Sequence, residues 1–237
     1  MTYVKICGIT NLEDARCAAE AGADFLGFIF YPKSPRYIAP ERAGEISRAI
    51  RCQRRAECTE QAPRFVGVFV DEPVDVARAI IKVAGLDLVQ LHGTETPDDV
   101  TALSPYAFKA LRPQTLAEAQ KAYAEFLTAD RRPPTTNHPP STVYHLPSTP
   151  DLLVDAYHPQ HKGGTGQIAD LEIARWLAER CRLLLAGGLT PDNITDAIVR
   201  VRPWGVDVSS GVEATKGKKD HAKIRTFIVQ VRTAITP

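Results

Sequence analysis

Three runs in the C-terminal third decide the fold: Leu152-Leu153-Val154-Asp155, Leu183-Leu184-Leu185-Ala186-Gly187-Gly188 and Gly205-Val206-Asp207-Val208-Ser209-Ser210-Gly211. Each is a near-continuous apolar stretch that ends on a carboxylate, a pair of glycines or a Ser/Gly turn. Unbroken apolarity marks strands buried on both faces, as parallel strands are. Helical periods fall between them, at about Asp170–Glu179 and Pro191–Val199. The connections therefore read as strand-to-strand crossovers through a helix.

The same unit repeats upstream. Strands are predicted at Tyr3–Cys7, Phe25–Phe30, Phe65–Val70, Leu86–Leu91 and Tyr106–Leu111, then at Leu152–Ala156, Arg182–Ala186 and Gly205–Ser209. Helices are predicted at Leu12–Ala21 with Asn11 as N-cap, at Pro40–Ile50, at Val74–Val83, from Pro97, at Thr115–Phe126 and at Lys219–Thr233. Eight strand–helix units predict an α/β fold, a single-domain (β/α)8 TIM barrel over residues 1–237, and 237 residues suit that fold.

Two stretches break the rhythm. Cys52–Pro63 is a modest polar extension. Residues 130–150 carry Pro133, Pro134, Pro139, Pro140, Pro147 and Pro150 and little that can enter a core. They read as a long mobile surface loop between the fifth helix and sixth strand. That position is the N-terminal face of the barrel, so the loop is expected to be dispensable for chemistry.

Composition narrows the function. The chain is 44% hydrophobic and 24% charged, with a formal net charge of +1. Such a balance recruits neither nucleic acid nor an anionic membrane. No apolar run spans a bilayer and the N-terminus lacks a signal-peptide core, so a cytoplasmic enzyme is expected. Cys7, Cys17, Cys52, Cys58 and Cys181 are unevenly spaced without a C-x-x-C pair, which argues against disulfides and against a zinc site. His158 and His161 resemble a metal pair, but no carboxylate or cysteine nearby completes a set, and no metal is expected.

In such a barrel the chemistry lies at the C-terminal ends of the strands. Those ends carry Lys5 and Cys7, Tyr31 to Arg36, Asp71, Gln90 and His92, Lys109, Asp155, Gly187-Gly188, and Asp207 to Gly211. Cys7 and Asp155 supply a possible base and acid. The glycine-rich turns at Gly163-Gly164-Thr165-Gly166, Gly187-Gly188 and Ser210-Gly211 can present backbone N–H groups to an anion. Chemistry and phosphate binding thus separate across the mouth, which fits a phosphorylated sugar substrate. Blander readings stand beside these. Cys7 at a strand end can be a small buried hydrophobe, the glycines plain turns, and His92 a structural histidine. Asp207 reads either as a holder of a sugar hydroxyl or as a buried structural carboxylate. Lys216, Lys218 and Lys219 read as a solvated charge run.

Lys5-Ile6-Cys7-Gly8-Ile9-Thr10 resembles the N-terminal signature of the phosphoribosylanthranilate isomerases. The resemblance continues through Gly27-Phe28-Ile29-Phe30-Tyr31-Pro32-Lys33-Ser34-Pro35-Arg36-Tyr37, Val66-Gly67-Val68-Phe69-Val70 and Val89-Gln90-Leu91-His92-Gly93. It runs on through Gly163 to Gly166, Leu185 to Leu189 and Val206 to Glu213, in family order. Two features depart from the family pattern. Residues 130–150 look inserted, and Gln167-Ile168-Ala169-Asp170-Leu171 stands where the family often has an aromatic residue followed by Asp-Trp.

The resemblance implies an Amadori rearrangement of N-(5-phosphoribosyl)anthranilate, in tryptophan biosynthesis, with no redox change and no cofactor. It implies Asp155 as the general acid at the furanose oxygen and Cys7 as the general base at C2′. It also implies Arg36 as partner of the anthranilate carboxylate. Gly164, Gly187, Gly188, Ser210 and Gly211 are the expected phosphate binders. The expected partner is a small phosphoribosyl substrate, with neither nucleic acid nor membrane. The nearest rival, the histidine-pathway aldose isomerase, uses a carboxylate where this chain has Cys7. A non-catalytic phosphoribosyl binder would have lost the acid or the base.

Overall fold

The computed structural model describes residues 1–56, 62–127, 149–155 and 166–234. Eight parallel strands close into one barrel in sequence order, each hydrogen-bonded to the next and β8 to β1. They are β1 (Tyr3–Cys7), β2 (Phe25–Ile29), β3 (Arg64–Phe69), β4 (Leu88–Leu91), β5 (Ala107–Leu111), β6 (Leu152–Asp155), β7 (Leu183–Ala186) and β8 (Gly205–Val208). The surrounding helices are α1 (Leu12–Glu20), α2 (Pro40–Ala56), α3 (Val74–Ala84), α4 (Pro97–Ala102), α5 (Leu116–Phe126), α6 (Gly166–Ala178), α7 (Ile194–Val201) and α8 (His221–Thr233). The expected single-domain barrel is therefore present.

Side chains of successive strand residues point to opposite faces, and this parity sorts the barrel. Val4, Ile6, Leu26, Phe28, Val89, Leu152, Val154, Leu183, Leu185, Val206 and Val208 pack outward against the helices in one continuous buried cluster. Phe25, Val66, Leu88, Phe108, Ala110, Leu153, Leu184 and Ala186 form a second cluster, with Tyr3 and Trp204 beneath them. That second cluster fills the interior, and the Tyr3 and Trp204 rings, 4.3 Å apart, plug its N-terminal end. On the same inner parity, one step nearer the C-terminal ends, stand Cys7, Gln90, Asp155 and Asp207. The interior is thus apolar below and polar at the mouth.

Local chemistry sets the helix starts. Asn11 caps α1 by accepting from the Asp14 amide at 2.9 Å. Thr96 and Asp99 form a reciprocal capping box on α4. Asp220 accepts from the amides of Ala222 and Lys223 to begin α8.

Three expectations change. The helix predicted to stop at Ile50 continues to Ala56, taking in part of the expected polar extension. The helix predicted from Asp170 begins at Gly166. The run after β8 folds back as a two-stranded hairpin, β9 (Glu213–Thr215) and β10 (Lys218–Lys219), before α8. Residues 130–148 of the proline-rich stretch, Gly163 to Thr165, His158 and His161 lie outside the described residues. Among the described residues, no helix is long and apolar enough to cross a membrane.

Candidate active site

Cys7 is the last residue of β1 and Asp155 the last of β6. In the ring order β1-β8-β7-β6 they stand three strands apart around the mouth. Their surroundings differ.

Cys7 is only 5% exposed. Lys5, two residues before it on the same inner face, is fully buried. The Lys5 ammonium donates to Gln90 Oε1 at 2.9 Å and to Asp207 Oδ1 at 3.1 Å, and also reaches the Cys7 thiol. Burial alone would lower the Lys5 pKa, but Asp207 and the thiol outweigh it and the net shift is upward. For Cys7, burial pushes the pKa above the ordinary thiol range, with Asp207 adding to the rise while Lys5 and Lys219 oppose it. Room for this pair comes from Gly27 on β2. A Cβ there would lie 2.8 Å from Cys7 Sγ and 3.2 Å from Lys5 Cε. The structure thus places Asp207 as counter-ion of Lys5.

Arg36, in the loop after β2, crosses over Gly8, where a Cβ would meet the Arg36 side chain at 2.7 Å. Its Nε and Nη2 donate to the two carboxylate oxygens of Glu213, at 2.6 and 2.7 Å. Hydrogen bonding to Glu213 holds the Arg36 pKa above its usual value. Five guanidinium hydrogens less the two used here leave Nη1 and one edge of Nη2 for a ligand.

Lys219 overturns its reading as part of a solvated charge run. Lys216 and Lys218 are exposed, but the hairpin turns the Lys219 side chain to 0% exposure, against Glu213 at 3.4 Å and the Ser209 carbonyl at 3.0 Å.

On the far side, Asp155 is 29% exposed and pairs with Arg112 Nε at 3.3 Å; Arg112 itself is 60% exposed. Arg112 Nη2 also lies 2.9 Å from His92 Nε2. His92 Nδ1 lies 2.8 Å from the Gln90 amide nitrogen. Lysine can only donate, so Gln90 Oε1 faces Lys5 and the Gln90 NH2 must donate to Nδ1. The His92 hydrogen then sits on Nε2, opposite an arginine that can only donate. Burial, reinforced by the charges of Arg112, Lys5 and Lys109, lowers the His92 pKa to about 3, so the ring is neutral. With that tautomer the His92–Arg112 contact is donor against donor.

Lys109, the middle residue of β5, has the opposite parity. Its ammonium is spent on Glu95 at 2.8 Å and on the carbonyl of Gly93 at 2.7 Å, outside the barrel interior.

The loops after β7 and β8 meet. Gly187 and Gly188 adopt φ of 95° and 59°, which favours residues without a Cβ. A Cβ at Gly211 would run into the Leu189 carbonyl. The amides of Gly188, Ser210 and Gly211 meet no acceptor among the described residues. The Ser209 hydroxyl is buried without a partner among them. Gly164, the fifth expected phosphate binder, lies outside the described residues. The structure therefore gathers Cys7, Arg36, Asp155, Gly187, Gly188, Asp207, Ser210 and Gly211 at one end of the barrel. Sequence reading gave no role to Arg112 or Glu213, placed Gln90 at the mouth without one, and took Lys219 for a solvated charge. Inner parity with Cys7 and Asp207 was the available signal for Gln90.

A family model for N-(5'-phosphoribosyl)anthranilate (PRA) isomerase matches residues 4–230. The chain is 43% identical over 231 residues to the N-(5'-phosphoribosyl)anthranilate isomerase of Pelobacter propionicus, covering 96% of this chain and 94% of that one. It is 44% identical to that of Roseiflexus castenholzii, covering 98% of each. The fold is similar to the crystal structure of the phosphoribosyl anthranilate isomerase of Thermotoga maritima, with TM-score 0.77, 37% identity and coverage of 98% and 99%. It is equally similar in extent to a phosphoribosyl anthranilate isomerase solved with reduced 1-(o-carboxyphenylamino)-1-deoxyribulose 5-phosphate, with TM-score 0.75, 35% identity and the same coverage. With a closed barrel, a buried cysteine–lysine pair and a carboxylate at its mouth, and these relatives along nearly its whole length, the chain belongs to the N-(5'-phosphoribosyl)anthranilate isomerase family.

Proposed function

We propose that this barrel catalyses, in the cytoplasm and as a step of tryptophan biosynthesis, the Amadori rearrangement of N-(5-phosphoribosyl)anthranilate to 1-(2-carboxyphenylamino)-1-deoxyribulose 5-phosphate. One observation carries the reading. Cys7 and Lys5 share a buried inner face at the C-terminal end of the barrel, three strands round the mouth from Asp155.

Asp155 gives a proton to the furanose ring oxygen as the C1′–O bond breaks, leaving an iminium conjugated to the anthranilate. The Cys7 thiolate takes the proton from C2′, and the electron pair neutralises the iminium to give an enolamine. Tautomerisation then yields the ketone. Burial disfavours the thiolate in the ligand-free site, and Lys5 opposes that effect. Ring opening adds a second positive charge near the sulfur, which favours the thiolate form as the acidic C–H appears. Each proton transfer contributes about 10²–10⁴-fold.

Arg36 presents its remaining guanidinium edge to the anthranilate carboxylate. The amides of Gly187, Gly188, Ser210 and Gly211, with Gly164, hold the phosphate. Asp207 pairs with Lys5 and is also the proposed holder of a sugar hydroxyl.

The test is a fluorescence assay. Phosphoribosylanthranilate is generated in place from anthranilate and phosphoribosyl pyrophosphate by a separate transferase, and its consumption is followed. Enzyme-dependent conversion is expected. No conversion by the folded protein, with turnover of the histidine-pathway aminoaldose instead, would overturn the substrate and keep the chemistry.

A further inference from the structure

The Arg36–Glu213 pair joins residues 177 apart in sequence and closes over the first residue after Cys7. It is bidentate and well shielded, with side-chain exposures of 19% and 6%. Burying such a pair is weak grounds for stability, because desolvation offsets the attraction. Its geometry has another consequence. A guanidinium on a flexible stem is a poor carboxylate receptor until its plane is fixed, and ordering it on binding costs affinity. Here Glu213 fixes the plane in advance.

Glu213 is itself held. Its Oε1 accepts from Lys219 Nζ at 3.4 Å and from the Gly217 amide at 3.3 Å. Lys219 also donates to the Ser209 carbonyl, the residue before the expected phosphate binders Ser210 and Gly211. One carboxylate therefore links the arginine after β2 to the loop after β8.

We propose that Glu213 is a positioning residue for the aromatic carboxylate of the substrate, acting by fixing the Arg36 guanidinium in the orientation that receives it. The proposal rests on Arg36 as the partner of that carboxylate. Glu213 touches no reacting atom, so its loss acts on binding more than on turnover.

The experiment compares two competitive ligands on wild type, Arg36→Ala, Glu213→Gln and the double variant. One ligand is reduced 1-(o-carboxyphenylamino)-1-deoxyribulose 5-phosphate, which carries the aromatic carboxylate. The other is ribose 5-phosphate, which lacks it. Glu213→Gln is expected to weaken the aryl ligand by about tenfold or more, as loss of a charge-assisted contact does, and ribose 5-phosphate by about twofold at most. KM for the substrate rises with the aryl-ligand loss while kcat changes less. In the Arg36→Ala background Glu213→Gln adds no further loss.

If Arg36→Ala itself leaves aryl-ligand affinity unchanged, the assignment of Arg36 fails. If Arg36→Ala weakens that ligand and Glu213→Gln does not, the role of Glu213 alone is overturned. Equal loss of both ligands in Glu213→Gln also overturns it, since that is general loosening of the mouth. Should the glutamine variant not fold, Glu213→Asp keeps the charge, withdraws the carboxylate by one methylene and makes the same comparison.

Discussion

The two sides of the barrel mouth are built differently. Around Cys7 the charges are shielded and paired: Lys5 with Asp207, and Arg36 and Lys219 together with Glu213. Around Asp155 the partner Arg112 is mostly exposed, and its contact with His92 sets donor against donor. The difference fits the two roles proposed for these residues. A thiol becomes a base only in a fixed electrostatic field, and such a field is strong only where water is excluded. The carboxyl proposed as the acid lies nearer solvent, beside an arginine that is 60% exposed.

Substitutions on the buried side should therefore cost more. Lys5→Met strands Asp207 without its cation and should destabilise the fold by about 3–5 kcal/mol, the usual result of breaking a buried pair. A urea midpoint unchanged from wild type would mean that Asp207 is not held by Lys5.

Asp207→Asn leaves the fully buried Lys5 without its counter-ion, so it too should destabilise the fold, and it is informative for the base. The negative charge of Asp207 raises the Cys7 pKa. Removing it favours the thiolate, so the rising limb of kcat/KM against pH should move to lower pH. A shift to higher pH, or none, would break the link between this charge and the thiol.

Arg112→Ala should have the smallest effect, about fivefold at most in kcat/KM, as for other exposed pairs. A loss as large as that from a catalytic residue would erase the contrast between the two sides. It would make Arg112 part of the chemistry.

Much of this was legible in the sequence, for a physical reason. Barrel strands are short and buried on both faces, so their apolar runs stand out. The residue ending each run is the residue at the mouth. Cys7, Asp155 and Asp207 were found that way. The buried pairs were not, because a pairing such as Arg36 with Glu213 has no local pattern. Lys219 is the sharpest case. Its neighbours Lys216 and Lys218 are exposed, and only the turn of the β9–β10 hairpin sends Lys219 inward. His92 was open between structural and functional readings. Its tautomer follows only once Lys5, Gln90 and Arg112 are seen in line. The helix ends shifted where no strong cap marks them, as at Ile50.

The most direct test of the central claim is to measure turnover of phosphoribosylanthranilate by Cys7→Ser and Asp155→Asn beside wild type, with circular dichroism to establish that each variant is folded. Each folded variant should lose at least about 10²-fold in turnover. Near-normal turnover in either one would remove that residue from the chemistry and contradict the division of the mouth into a buried base and an open acid.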